Sequence, residues 1–76
     1  MNEKLLGIFT STLGIKADEM VDAMSMANTP AWDSVAHLNL VLSIEQEFGL
    51  QFSPEDFMKM KSVGAIKRVL AERGAA

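Results

Sequence analysis

The sequence predicts an all-α fold, a small four-helix bundle with a long loop between helix 1 and helix 2 and a short third helix. Three observations predict it. Apolar residues recur at i, i+3 and i+4 in separate segments, as one face of a helix requires. Ser, Asp, Pro and Gly bound those segments where helix ends favour them. No stretch alternates apolar and polar residues as a half-buried strand would. Residues 1–76 contain no internal repeat or low-complexity segment and read as a single domain.

The first helix is expected from Asn2 or Glu3 to Leu13, with Leu5, Ile8, Phe9 and Thr12 on one face and Leu6 and Leu13 beside them. Gly14 supplies its stop. Residues 15–33 form a long connection broken at Asn28-Thr29-Pro30, with room for a brief helical turn between Ala17 and Met26. Met20, Val21, Met24 and Met26 are expected to pin that connection to the bundle as adaptable apolar filler. The second helix starts at Asp33-Ser34, either of which can cap it. Ser53, then Pro54 at the first helical position and Asp56 three residues after the cap, open the third. Ser62 opens the fourth, which buries Val63, Ile66, Val69 and Leu70 and stops before Gly74.

Placed around its axis at about 100° per residue, the second helix carries two apolar stripes. Leu40, Val41, Ile44 and Phe48 share one arc with His37, and this is the expected core face. Val35, Leu38 and Leu42 form the other, while Asn39, Ser43, Gln46 and Glu47 occupy the polar side. A helix on the outside of a small bundle needs only one such stripe. The second is therefore either a docking face beside Ser34 or a surface over which the 15–33 loop folds. Glu45 and Glu47 stand near the helix C-terminus, where negative charge opposes the macrodipole. That placement fits a role outside helix stability, although exposed glutamates are also commonly just solvated.

Composition narrows the function classes. The chain has no cysteine, which excludes a disulfide framework and Cys-ligated metal sites. Its apolar runs are too short for a membrane span of ~20 residues. Met1-Asn2-Glu3-Lys4 lacks the basic start and apolar block of a signal peptide, so the expected location is the cytoplasm. Ten acidic against seven basic residues give a net charge of −3, which argues against nucleic-acid binding and for basic partners. Lys59, Lys61, Lys67, Arg68 and Arg73 read as a solvated face. His37 is the only histidine and has no companions at metal-ligand spacing. With Asp33 and Ser34 it imitates a hydrolase triad, but no glycine-rich nucleophile elbow is present. It points to the core arc, where an imidazole bonded to loop backbone is the expected role. Trp32, just before the cap, is expected to pack against the first turns as a staple, or else to contact whatever Ser34 carries.

The string from Trp32-Asp33-Ser34-Val35 to Glu45-Gln46-Glu47-Phe48-Gly49 resembles the modification-site helix of acyl carrier proteins. The resemblance extends to the Leu13-Gly14-Ile15 turn, the long loop, the short third helix near Ser53-Pro54-Glu55-Asp56 and the last helix near Ser62-Val63. It implies that Ser34, flanked by Asp33, is the attachment site of a 4′-phosphopantetheine arm donated by coenzyme A, whose thiol holds acyl groups as thioesters. The protein would have no catalytic activity of its own and would act as a monomer. Its partners would be a phosphopantetheinyl transferase and acyl-loading and acyl-using enzymes with basic docking patches. Val35, Leu38, Asn39, Leu42, Glu45 and Glu47 are the residues expected to meet them.

Departures from the fatty-acid-synthase type accompany the match. Ala36 stands where that type commonly has Asp, Asn39 where Glu is usual, and Trp32 where a small residue is typical. The Trp32-Asp33-Ser34 start with His37 resembles more closely specialised stand-alone carriers or the carrier domains of polyketide and peptide assembly, and the function it implies is an acyl carrier of fatty acid, polyketide or related specialised biosynthesis. Two alternatives stay open: an aminoacyl or peptidyl carrier, and an unmodified helical adaptor that binds through the Val35, Leu38 and Leu42 stripe.

Overall fold

A computed structural model describes residues 2–75, with the side chain of Asn2 left aside. Among these residues the chain forms four α-helices and no strand: α1 (Asn2–Leu13), α2 (Ser34–Phe48), α3 (Pro54–Lys59) and α4 (Val63–Glu72). A single 3-10 turn, Ala17–Glu19, lies in the long connection. The architecture is the small helical bundle expected.

Local chemistry explains the helix boundaries. After α1, Gly14 takes a left-handed conformation (φ 68°) while its N–H donates to the Thr10 carbonyl. Asp33 is the cap of α2, because its carboxylate accepts from the Ala36 N–H at 2.8 Å, which makes Ser34 the first helical residue. At the far end Gly49 is left-handed (φ 66°), and the Leu50 N–H returns to the Glu45 carbonyl. A reciprocal box starts α3: Asp56 N–H donates to Ser53 Oγ, and Ser53 N–H to Asp56 Oδ2, both at 3.1 Å. Ser62 Oγ caps α4 through the Ala65 N–H.

The core draws Leu5, Ile8, Phe9 and Leu13 from α1, Leu40, Val41 and Ile44 from α2, and Val63, Ile66, Val69 and Leu70 from α4. Met24, Trp32 and Met60 complete it from the connections. Phe48 is half-buried at its edge rather than inside it.

The backbone of the long connection docks on the start of α4 and does not fold over the Val35, Leu38 and Leu42 stripe of α2. Met26 N–H donates to the Lys61 carbonyl, Val63 N–H to Met24 and Gly64 N–H to Asp22. Two of the amides that open α4 thereby find acceptors. Met24 is buried and Met20 and Met26 pack against the core. Val21 does not: it is 55% exposed, contrary to its expected role as filler. The chain here turns tightly, with Val21 N–H donating to Glu19 and Met24 N–H to Val21, so no helical period carries Val21 inward.

Two of the five late basic residues are likewise engaged rather than merely solvated. Lys67 Nζ pairs with Asp22 Oδ1 at 2.8 Å, which adds an ionic tie between the connection and α4. Arg73 pairs with Asp56 and donates to the Gln51 carbonyl at 3.0 Å, joining the end of α4 to α3 and the segment before it.

Candidate functional site

Ser34 is exposed at the first turn of α2. The Ala36 N–H goes to the Asp33 carboxylate and the His37 N–H to the Asp33 carbonyl, at 2.8 Å each. The Ser34 and Val35 amides stay at the exposed helix end, where the macrodipole places partial positive charge. A hydroxyl there is accessible, is not consumed by capping and sits in a field that favours a phosphodiester. The residues present thus fit a phosphate-linked group on Ser34.

Directly beneath lies a polar contact inside an otherwise apolar core. Trp32 precedes the cap and His37 is the fourth helical residue, the two positions that a hydrophobic staple joins. Both are almost wholly buried. Instead of a purely apolar contact, Trp32 Nε1–H donates to His37 Nδ1 at 3.0 Å. An indole can only donate, so Nδ1 must be the unprotonated nitrogen, and Nε2–H then donates to the Phe57 carbonyl at 2.9 Å. His37 is therefore bonded to α3 backbone and to an indole, where loop backbone was expected. With both nitrogens committed, neither can take a proton from Ser34, and the triad imitation has no geometric basis.

Aromatic rings extend this contact in both directions. Phe9 meets Trp32 edge-on, with centroids 5.2 Å apart and planes at 82°. On the other side the His37 and Phe57 centroids are 4.5 Å apart. One line of rings thus connects α1, the segment before Ser34, α2 and α3.

The second apolar stripe of α2 is not covered by the long connection. Val35, Leu38 and Leu42 are all exposed, Val35 the most. Leu38 and Leu42 form one wall of an open groove of about 360 Å³, with Phe52, Pro54, Phe57 and Met58 opposite. Sequence reasoning did not find that opposite wall. The apolar residues around the Ser53 cap were its only local signal.

The expected acidic pair is separated. Glu45 lines this groove and is half-buried, and its Oε2 accepts from the Phe52 backbone N–H at 2.8 Å, anchoring the 49–53 segment. Glu47 is exposed on the α1 side, near Lys4, Gly7 and Ser43. Asn39 is exposed as well.

The surroundings of Asp56 alter its acidity. The Ser53 backbone N–H, and after it the Ser53 hydroxyl and the Arg73 guanidinium, hold its carboxyl below the ordinary carboxylate value, outweighing the opposite effect of burial. Among the described residues no cluster of His, Cys, Asp or Glu is placed to hold a metal ion, and no helix is long and apolar enough to cross a membrane.

Comparison with known protein families gives a match to the family described as "Phosphopantetheine attachment site" over residues 3–70, nearly the whole chain. An all-helical bundle, an accessible hydroxyl opening α2 and this match agree. The chain belongs to the phosphopantetheine-attachment family of carrier-protein domains, whose members carry covalently attached 4′-phosphopantetheine.

Proposed function

We propose that Ser34 is the residue that bears the phosphopantetheine arm, and that the protein serves as an acyl carrier in fatty acid, polyketide or related specialised biosynthesis. The supporting observation is the placement of Ser34: exposed, first in α2, and relieved of capping duty by Asp33. Once bound, the arm supplies a thiol on which an acyl group is held as a thioester.

This chain's residues contribute position and recognition. Asp33 fixes the helix start, and with it the location of Ser34 Oγ. The α2 amides and dipole stabilise the phosphodiester charge. Val35, Leu38 and Leu42 offer an apolar docking stripe to the transferase and to acyl-loading and acyl-using enzymes, with Asn39 and Glu45 at its margins and Glu47 offering its charge on the α1 side. Ala36 and Asn39 lack the charges usual in the fatty-acid-synthase type, which supports a specialised carrier. Catalysis belongs to the partners, as is general among carrier domains. Tethering would raise the local concentration of the cargo at each of them in turn.

The test is intact mass after incubation with coenzyme A and a broad-specificity phosphopantetheinyl transferase. A gain of one phosphopantetheine in the wild type and none in Ser34→Ala is the expected result. A gain retained by Ser34→Ala would move the attachment site elsewhere. No gain with several transferases would favour an unmodified adaptor.

A further inference from the structure

We infer that Trp32 and His37 are positioning residues for the modification of Ser34: their side-chain hydrogen bond spans the serine and holds it in the arrangement that a phosphopantetheinyl transferase engages. The inference rests on the reading of Ser34 as the attachment residue.

Burial shows what anchors this stretch. From Ala27 to Ala36, Trp32 is the only buried residue. Thr29 and Ala36 are half-buried, and the others, Ser34 included, are exposed. An exposed helix end frays unless something ties it down. Here the tie consists of two side-chain bridges, one inside the other. The inner bridge joins the Asp33 carboxylate to the Ala36 N–H at 2.8 Å. The outer bridge joins Trp32 Nε1–H to His37 Nδ1 at 3.0 Å. Ser34 lies within both.

The two bridges do different things. The inner one belongs to the first turn of α2 and moves with it. The outer one is tied to the rest of the bundle, because Phe9 of α1 meets the Trp32 ring edge-on and His37 Nε2–H donates to the Phe57 carbonyl of α3. It therefore fixes Ser34 relative to α1 and α3 as well as to its own helix. Burial alone keeps an indole inside without setting its direction, whereas a hydrogen bond to a buried partner sets both.

Modification makes that direction matter. Ser34 Oγ must bond to the phosphorus that carries pantetheine while the pyrophosphate bridge of coenzyme A breaks. Adenosine 3′,5′-bisphosphate leaves, and the hydroxyl proton passes to a base of the transferase. Such a displacement depends on the alignment of the attacking oxygen. A serine already held in place costs nothing to order on binding, while a frayed start offers the competent form only part of the time and weakens apparent affinity by that fraction. Loss of the outer bridge should accordingly raise the KM for the carrier and leave kcat, a property of the bound form, unchanged.

The test gives the unmodified full chain to a broad-specificity phosphopantetheinyl transferase with saturating coenzyme A. Trp32→Phe keeps an aromatic ring and removes the donor. It should raise KM about fivefold, the population shift that one hydrogen bond can exert, at wild-type kcat. Backbone NMR order parameters at Ser34 and Val35 should fall in the same variant. His37→Leu removes the acceptor instead and should share the rise in KM, which covers the case in which Trp32→Phe does not fold. Val69→Ala opens the core on α4, outside both bridges, and should lose stability while keeping the wild-type KM and Ser34 order. An unchanged KM in Trp32→Phe, a loss confined to kcat, or an equal rise in Val69→Ala would overturn the inference. Failure of the underlying reading is a different result, a mass gain retained by Ser34→Ala.

Discussion

Trp32 Nε1 and His37 Nδ1 are 3.0 Å apart, and this hydrogen bond joins the residue before the cap of α2 to the first inward-facing residue of that helix. His37 passes the connection on to α3 through the Phe57 carbonyl. Leucine at position 37 would keep an apolar volume but strand both partners. His37→Leu should therefore lose about 2 kcal/mol or more, read as a lower urea midpoint at unchanged m. Adding Trp32→Phe should cost less than the sum of the single changes, since the stranded donor is gone. A loss below about 0.5 kcal/mol for His37→Leu would contradict this account.

Asp33 and Ser34 are neighbours with different work, and substitution separates them. Asp33→Ala removes the cap and should cost about 1 kcal/mol, a drop in Tm of roughly 4–8 °C for a domain of this size. Ser34→Ala should stay within about 0.5 kcal/mol of wild type while abolishing mass gain from coenzyme A. Thermal melts of both, beside the mass assay, check the division.

Leu42 is about half exposed and lines the groove without entering the core. Leu42→Ala should lower Tm only slightly and reduce transferase kcat/KM by about tenfold, equivalent to about 1.4 kcal/mol of lost contact. The docking role would be refuted by a variant that is less stable but turned over at the wild-type rate.

Asp56 gives the fold a defined acid response. Its folded pKa lies below the unfolded value of about 3.9, so the ionised carboxylate stabilises the fold fully above that value. The contribution declines as pH falls through the lower folded pKa. Melting wild type and Asp56→Asn across pH should show a gap that is constant above about pH 5 and closes toward pH 2. A gap that widened on acidification would reverse the assigned direction.

The local parts of this fold were legible in the sequence, and the distant ones were not. Ser53-Pro54-Glu55-Asp56 announced a box whose partners are three residues apart, and Gly14 announced a stop that depends on its own backbone. The core arc of α2 followed from periodicity alone, His37 included. Asp22 and Lys67, by contrast, are 45 residues apart, and nothing near either one predicts the pair. Glu45 read as a free surface charge because its partner is a backbone amide, which sequence does not distinguish from any other. Val21 failed for a related reason: an apolar residue in a tight turn has no period to assign it a side.

The docking of the connection on α4 also sets an order of events during synthesis. The segment before Ser34 gains its distant backbone partners at Lys61, Val63 and Gly64, and its ionic partner at Lys67. At about 5–20 residues per second, the 45 residues from Asp22 to Lys67 take roughly 2–9 s to translate. Once Ser34 has been made, the region leading to it stays unanchored for the rest of that interval. A transferase that requires the finished helix start would therefore act only after Lys67 has been made and the connection has docked on α4.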